Sequence, residues 1–152
     1  MNTSLQVTIS SRELFQKIIE NCTLEQLNRV PDGFKNNIIW NIGHIVVTQQ
    51  LLAYKLSGLA MMVTDEMVAK YQKGTIPHGT VSKDEVEAIK SLLFTTITKT
   101  QEDLDNGLFQ NYTEYTVSTA NFTLRSVEDA MQFTNFHEGI HLGVILQIKK
   151  FV

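Results

Sequence analysis

The sequence predicts an all-α protein, a bundle of four long helices. Apolar residues recur every three or four positions along four long segments, and three of these segments begin with a serine-led capping signature. The two prolines, Pro31 and Pro77, both fall between these segments. The 152 residues are 43% hydrophobic and 19% charged, which is ordinary for one globular domain, so we assign residues 1–152 to a single domain.

The first two long helices are predicted on either side of Pro31. The first should open at Ser10, because Ser10 and Glu13 have the spacing of a capping box, and it should end at Pro31-Asp32-Gly33. Its apolar stripe consists of Leu14, Phe15, Ile18, Ile19 and Leu27. The second is predicted from about Asn37 to Ser57, with Gly58 as its C-cap.

The other two long helices begin at serines. A capping box from Ser82 to Glu85 opens the third helix, and Asn106-Gly107 stops it. The fourth helix opens at Ser126 and runs to the C-terminus. Two long connections remain: residues 59–81 should include a short helix near 65–71, and residues 111–124 should form a short hairpin or an extended crossing strand.

Charge and cysteine usage exclude several classes of protein. The net charge of −3 argues against a nucleic-acid binder, which usually carries a basic patch. Cys22 is the only cysteine, so we expect no disulfide framework, no Cys-based zinc site and a reducing, cytoplasmic location. Met1 to Ser10 does not have the pattern of a signal peptide, and Ile38 to Leu59 is too polar to span a bilayer, so we expect no role at a membrane.

Three of the four histidines lie where they could share a metal ion. His137 and His141 are four positions apart on the apolar face of the fourth helix, and His44 lies on the apolar stripe of the second. Facing helices of a bundle commonly build metal sites in this way. Three imidazoles favour zinc, nickel, copper or iron over magnesium or calcium, and they leave a position open. The alternative to a metal site is that the three are core histidines held by hydrogen bonds. The fourth, His78, is expected in a solvated loop.

His137-Glu138-Gly139-Ile140-His141 also matches the zincin protease motif H-E-x-x-H. Zincins take their third ligand from downstream, and no His, Asp or Glu follows His141. Glu138 is the one candidate catalytic residue, as a general base. It lies about 100° around the helix from His137, which favours a residue behind the ligands or a solvated charge at the rim.

The chain resembles the DinB superfamily, also called the DinB/YfiT-like metalloenzymes. The matching features are Trp40-Asn41-Ile42-Gly43-His44, the lead-in Phe122-Thr123-Leu124-Arg125-Ser126, and the segment from His137 to Gly143. The resemblance implies an up-down-down-up bundle with long crossovers, a metal held by His44, His137 and His141, and a homodimer. It also implies chemistry that depends on a thiol, such as bacillithiol S-transfer or mycothiol-dependent isomerisation.

Three functions follow from these observations. The first is a metal-dependent transferase that joins a low-molecular-weight thiol to an electrophile, with zinc or nickel as cofactor. The second is a hydrolase that uses metal-bound water. The third is a non-enzymatic bundle that binds a metal or small ligand and dimerises. The polar residues expected near the site are Asn41, Thr48, Gln49, Tyr54 and Asn135.

Overall fold

The computed structural model describes residues 2–152, and 62% of the chain is helical, which confirms the mostly helical class. The helices are α1 (Thr3–Glu20), α2 (Leu24–Asn28), α3 (Ile38–Gln50), α4 (Asp65–Tyr71), α5 (Lys83–Asp105) and α6 (Val127–Ile148). A π-helical turn, Leu51–Lys55, continues α3, and two short strands, β1 (Tyr115–Val117) and β2 (Phe122–Leu124), precede α6.

Side-chain caps fix the starts of three long helices as predicted. Asn37 accepts a hydrogen bond from the backbone N–H of Trp40, Ser82 caps α5, and Ser126 caps α6. The predicted short helix is α4, and the predicted hairpin pairs β1 with β2. Gly58 follows the π-helical turn at φ +70°, a conformation that favours glycine.

The prediction for the first helix is wrong at both ends. Asn2 caps α1 by accepting a hydrogen bond from the N–H of Ser4, so the actual cap lies eight residues before the predicted cap, Ser10. Ser10 lies inside the helix, where its hydroxyl donates to the carbonyl of Gln6. At the other end α1 stops at Glu20, and Thr23 opens the separate helix α2 through a capping box of its own.

The four long helices surround one main core. α1 packs against α5 and α6, and α3 packs against the same two helices. Every residue of α3 except Thr48 is buried, because α4 and α2 also cover it. The up-down-down-up order of the helices stays a prediction. Within residues 2–152, every helix is too short or too polar to serve as a membrane span.

The hairpin lies against the start of α6. Val117 and Leu124 are buried, and they cluster with Leu52 of the π-helical turn and with Phe133 of α6. The register pairs Tyr115 with Leu124 and Val117 with Phe122, so alternate residues face this cluster. The hairpin therefore forms a wall beside the end of α3.

Candidate metal centre

Two packed helices bring His44, His137 and His141 together. One ligand nitrogen from each imidazole lies within 4.8 Å of the others. His44 and His137 are buried, and His141 is half-buried. The ring centroids are 4.5 to 5.1 Å apart. The predicted inward orientation of the three rings is confirmed.

Hydrogen bonds at the far side of two rings fix which nitrogen faces the centre. His44 Nδ1 lies 2.7 Å from the carbonyl oxygen of Tyr71, which can only accept, so Nδ1 carries the hydrogen. His141 Nδ1 lies 2.7 Å from Asn41 Oδ1, and Asn41 Nδ2 donates to the carbonyl of Asn37. Both Nε2 atoms are therefore left with a lone pair. Metal-binding histidines are commonly oriented in this way.

The two histidines of α6 face each other closely. His141 Nε2 lies 3.2 Å from His137 Nε2. Since the Nε2 of His141 bears a lone pair, a hydrogen on His137 Nε2 or a metal ion shared by the two rings would satisfy this contact. The donor set of three imidazoles fits a divalent metal ion.

Burial keeps the three imidazoles neutral. Desolvation is the largest cause that lowers the pKa of each ring, to about 3 for His137 and about 4 for His141. The neighbouring histidines lower the pKa of His137 further. Lys73 makes a smaller contribution for His137 and for His44. Neutral imidazole is the form that binds a metal ion, so the site is ready for one at pH 7 without losing protons.

A glycine lets the Tyr71 carbonyl approach His44. A Cβ atom on Gly43 would lie 2.6 to 2.9 Å from three atoms of the Tyr71 ring, closer than packing allows. The Tyr71 hydroxyl donates to Glu85 at 2.5 Å, which anchors the ring from the other side. Gly43 therefore permits α4 to lie against α3 at the height of His44.

Aromatic rings support two of the imidazoles. Trp40 stacks on His44 with centroids 4.8 Å apart and an interplanar angle of 9°. Phe133, one turn before His137, stacks on that ring at 5.8 Å. The indole N–H of Trp40 donates to the hydroxyl of Thr75. These contacts restrict the rotation of the rings and so hold their nitrogens in place.

Glu138 lies behind the histidines, fully buried. Its Oε1 accepts hydrogen bonds from Arg12 Nε at 3.0 Å and from Nη2 at 2.9 Å, and its Oε2 accepts from Ser11 at 2.5 Å. Both charged side chains are 0% exposed. The interpretation of Glu138 as a solvated charge at the rim is therefore wrong. Both oxygens are engaged by α1, whereas a general base would face the three imidazoles.

A cleft of about 290 Å³ opens beside His44 and His137. Its walls come from α3 with its π-helical turn, the segment after α4, the hairpin and α6. The lining residues are His44, Thr48, Leu51, Leu52, Lys55, Leu56, Gln72, Lys73, Tyr115, Val117, Ser118, Thr119, Phe133 and His137. The cleft gives a small molecule access to two of the three imidazoles.

Comparison with known families decides the assignment. The family model of the DinB superfamily matches residues 8–145. The chain belongs to the DinB superfamily. The part of this DinB protein that matches contains all three histidines, the Arg12–Glu138 pair and the whole cleft. No curated protein matches the chain.

Two of the five polar residues expected at the DinB site reach it. Asn41 orients His141, and Thr48 Oγ1 lies 3.4 Å from His44 Nε2. Gln49, Tyr54 and Asn135 instead bond to Thr100, Asp103 and Ser4 elsewhere in the bundle. His78 is exposed, as predicted for a loop histidine.

Sequence reasoning did not find the cleft lysines, Lys55 and Lys73. They lie on different segments, one on the π-helical turn and one after α4, so no periodic pattern in the sequence links them. The hairpin wall of the cleft could not be placed from the sequence either, because only the folded chain brings residues 115–119 beside His44.

Proposed function

We propose that this protein is a metal-dependent transferase that joins a low-molecular-weight thiol to an electrophile. His44, His137 and His141 would hold the ion, and zinc or nickel is the proposed cofactor. The observation that carries the proposal is the convergence of three neutral imidazoles, two of which line a cleft. Three protein ligands leave a position for an exogenous group, which is the catalytic pattern rather than the structural one.

A cation bound here would lower the pKa of a thiol and so favour the nucleophilic thiolate. The chain supplies the positioning. Asn41 and the Tyr71 carbonyl hold His141 and His44 in the binding tautomer. Leucines of the π-helical turn, Leu51 and Leu52, line the cleft and reduce the access of water to the reacting atoms.

The proposal is tested first by metal content. Purified protein without a His tag is incubated with zinc or nickel, dialysed and measured by elemental analysis beside the variants His44→Ala and His141→Ala. His78→Ala is the matched control, because it removes an exposed histidine. About one equivalent in the wild type and the control, and little in the two site variants, is the expected result.

Activity is then measured as loss of free thiol in the presence of an electrophile, with and without chelator. Thiol transfer that persists in metal-free His44→Ala protein would refute the proposal that the reaction depends on a metal ion held by His44. Wild-type protein that stays metal-free would favour a non-enzymatic bundle instead.

Hydrolysis by metal-bound water is the second candidate, and the cleft favours it less. No carboxylate lines the cleft among the described residues, and Glu138 is held by Arg12 and Ser11. A panel of esters, amides and lactones separates the two functions, because turnover without any thiol would favour the hydrolase.

We also propose that the protein is a homodimer that forms through the outer face of α6. Phe136 is 53% exposed and Ile140 is 38% exposed, on the same face of the helix as Gly139 and Gly143. A Cβ atom added to either glycine would meet no neighbouring group within 4 Å. The space outside both glycines is therefore open, and a second helix could approach closely. The unpaired Cys22 suits the proposed cytoplasmic location.

A further inference from the structure

The charges around the cleft are all of one sign. Lys55 and Lys73 line it from two different segments, and no Asp or Glu does so among the described residues. The remaining polar groups of the lining besides the histidines are neutral: the hydroxyls of Thr48, Tyr115, Ser118 and Thr119 and the amide of Gln72. The cleft therefore combines apolar walls with two ammonium groups.

Neither lysine is neutralised by the protein. Lys70, Lys90 and Lys99 each pair with a carboxylate, but within residues 2–152 neither Lys55 nor Lys73 has an acidic partner within 4.0 Å. Lys73 Nζ donates instead to the hydroxyl of Ser118, at the end of β1. That bond ties the lysine to the hairpin wall and keeps its charge over the cleft.

The proposed metal would add to this imbalance. Three neutral imidazoles bring no negative charge to a divalent ion, and the only carboxylate next to them in sequence, Glu138, is already paired with Arg12. A negatively charged ligand is therefore favoured at the cleft. A second anionic group on that ligand, besides a thiolate, could pair with the two ammonium groups.

We propose that the cleft selects a substrate that carries a carboxylate near its reacting group, with Lys55 and Lys73 as the anion-binding residues. The inference rests on the proposed function for the reaction and adds the chemical class of the substrate. A volume of about 290 Å³ is at the lower end of small-molecule pockets, so the ligand is a compact one.

The test compares two thiols of similar size, one with an anionic carboxylate and one with a neutral hydroxyl. Binding of 3-mercaptopropionate and of 3-mercapto-1-propanol is measured by NMR titration of ¹⁵N-labelled protein, in the zinc-loaded and in the metal-free form. Propionate, which lacks the thiol, reports on the anion site alone. The variants are Lys55→Gln, Lys73→Gln and the double variant, with Lys17→Gln on the exposed side of α1 as the matched control.

The acid is expected to bind more tightly than the alcohol to wild-type protein and to the control. Each single variant should weaken binding of the acid about two- to fivefold, which is the usual effect of losing a solvent-exposed ion pair. Binding of the alcohol should stay unchanged. Equal affinities for acid and alcohol, or a preference that survives in the double variant, would overturn the inference. Failure of zinc to bind would refute the proposed function separately, and the comparison in the metal-free form would still decide on the anion site.

Discussion

Replacing Glu138 with Gln should destabilise the fold strongly, because it leaves Arg12 with a buried and uncompensated charge. Glu138 accepts three hydrogen bonds, two of them from Arg12, and both side chains are 0% exposed. Removing one partner of such a pair costs about 3–5 kcal/mol. At roughly 2–4 °C for each kcal/mol in a domain of this size, the melting temperature should fall by about 6–20 °C.

The assay is urea denaturation at pH 7, followed by circular dichroism and checked by calorimetry. Glu20→Gln is the control, since its pair with Lys90 lies at the surface, where water screens the two charges and loss of the pair should change stability little. The double variant Arg12→Met/Glu138→Leu removes both charges and should recover part of the loss. A loss below about 1 kcal/mol in Glu138→Gln would refute the reasoning that the pair is fully desolvated.

Three further predictions concern the site and the outer surface. Gly43→Ala should displace the Tyr71 ring and weaken zinc binding by about 10–100-fold, measured by competition with a chromophoric chelator, whereas Gly139→Ala should not. The folded state holds His137 neutral with a pKa of about 3, against 6.5 as its ordinary value. The unfolded chain therefore binds more protons, and the free energy of unfolding of metal-free protein should decrease from about pH 6.5 towards pH 3. His137→Gln should flatten that slope in urea titrations, and an unchanged slope would contradict the assignment. Phe136→Glu should halve the mass measured by light scattering if α6 forms the dimer.

The site could be predicted where its signals are local in the sequence. His137 and His141 share a face because the helical period places residues four apart on one side, and that can be read without any tertiary contact. The role of Glu138 could not be read in this way, since its partner Arg12 is 126 positions away. The same holds for Lys55 and Lys73, which only the folded chain brings to one cleft.

The error at the first helix has a different physical origin. The spacing of Ser10 and Glu13 is that of a capping box, but a serine inside a helix can satisfy its hydroxyl on the carbonyl four residues earlier. Asn2 supplies the actual cap, and the helix it opens is held by packing against α5 and α6. A local signature of this kind identifies a helix start only when the preceding residues cannot continue the helix.

The bond that orients His44 has a consequence for how this site can change. Its acceptor is the last carbonyl of α4, a main-chain atom that every amino acid at position 71 would carry. No side-chain replacement at Tyr71 can delete that acceptor; a replacement can only move it. The free carbonyls at a helix C-terminus also carry partial negative charge, so the end of α4 favours the hydrogen on Nδ1 of His44. The position of α4, a short helix in a crossover, thus controls the orientation and tautomer of His44. Small shifts of α4 would alter metal affinity although all three metal-binding histidines stay the same.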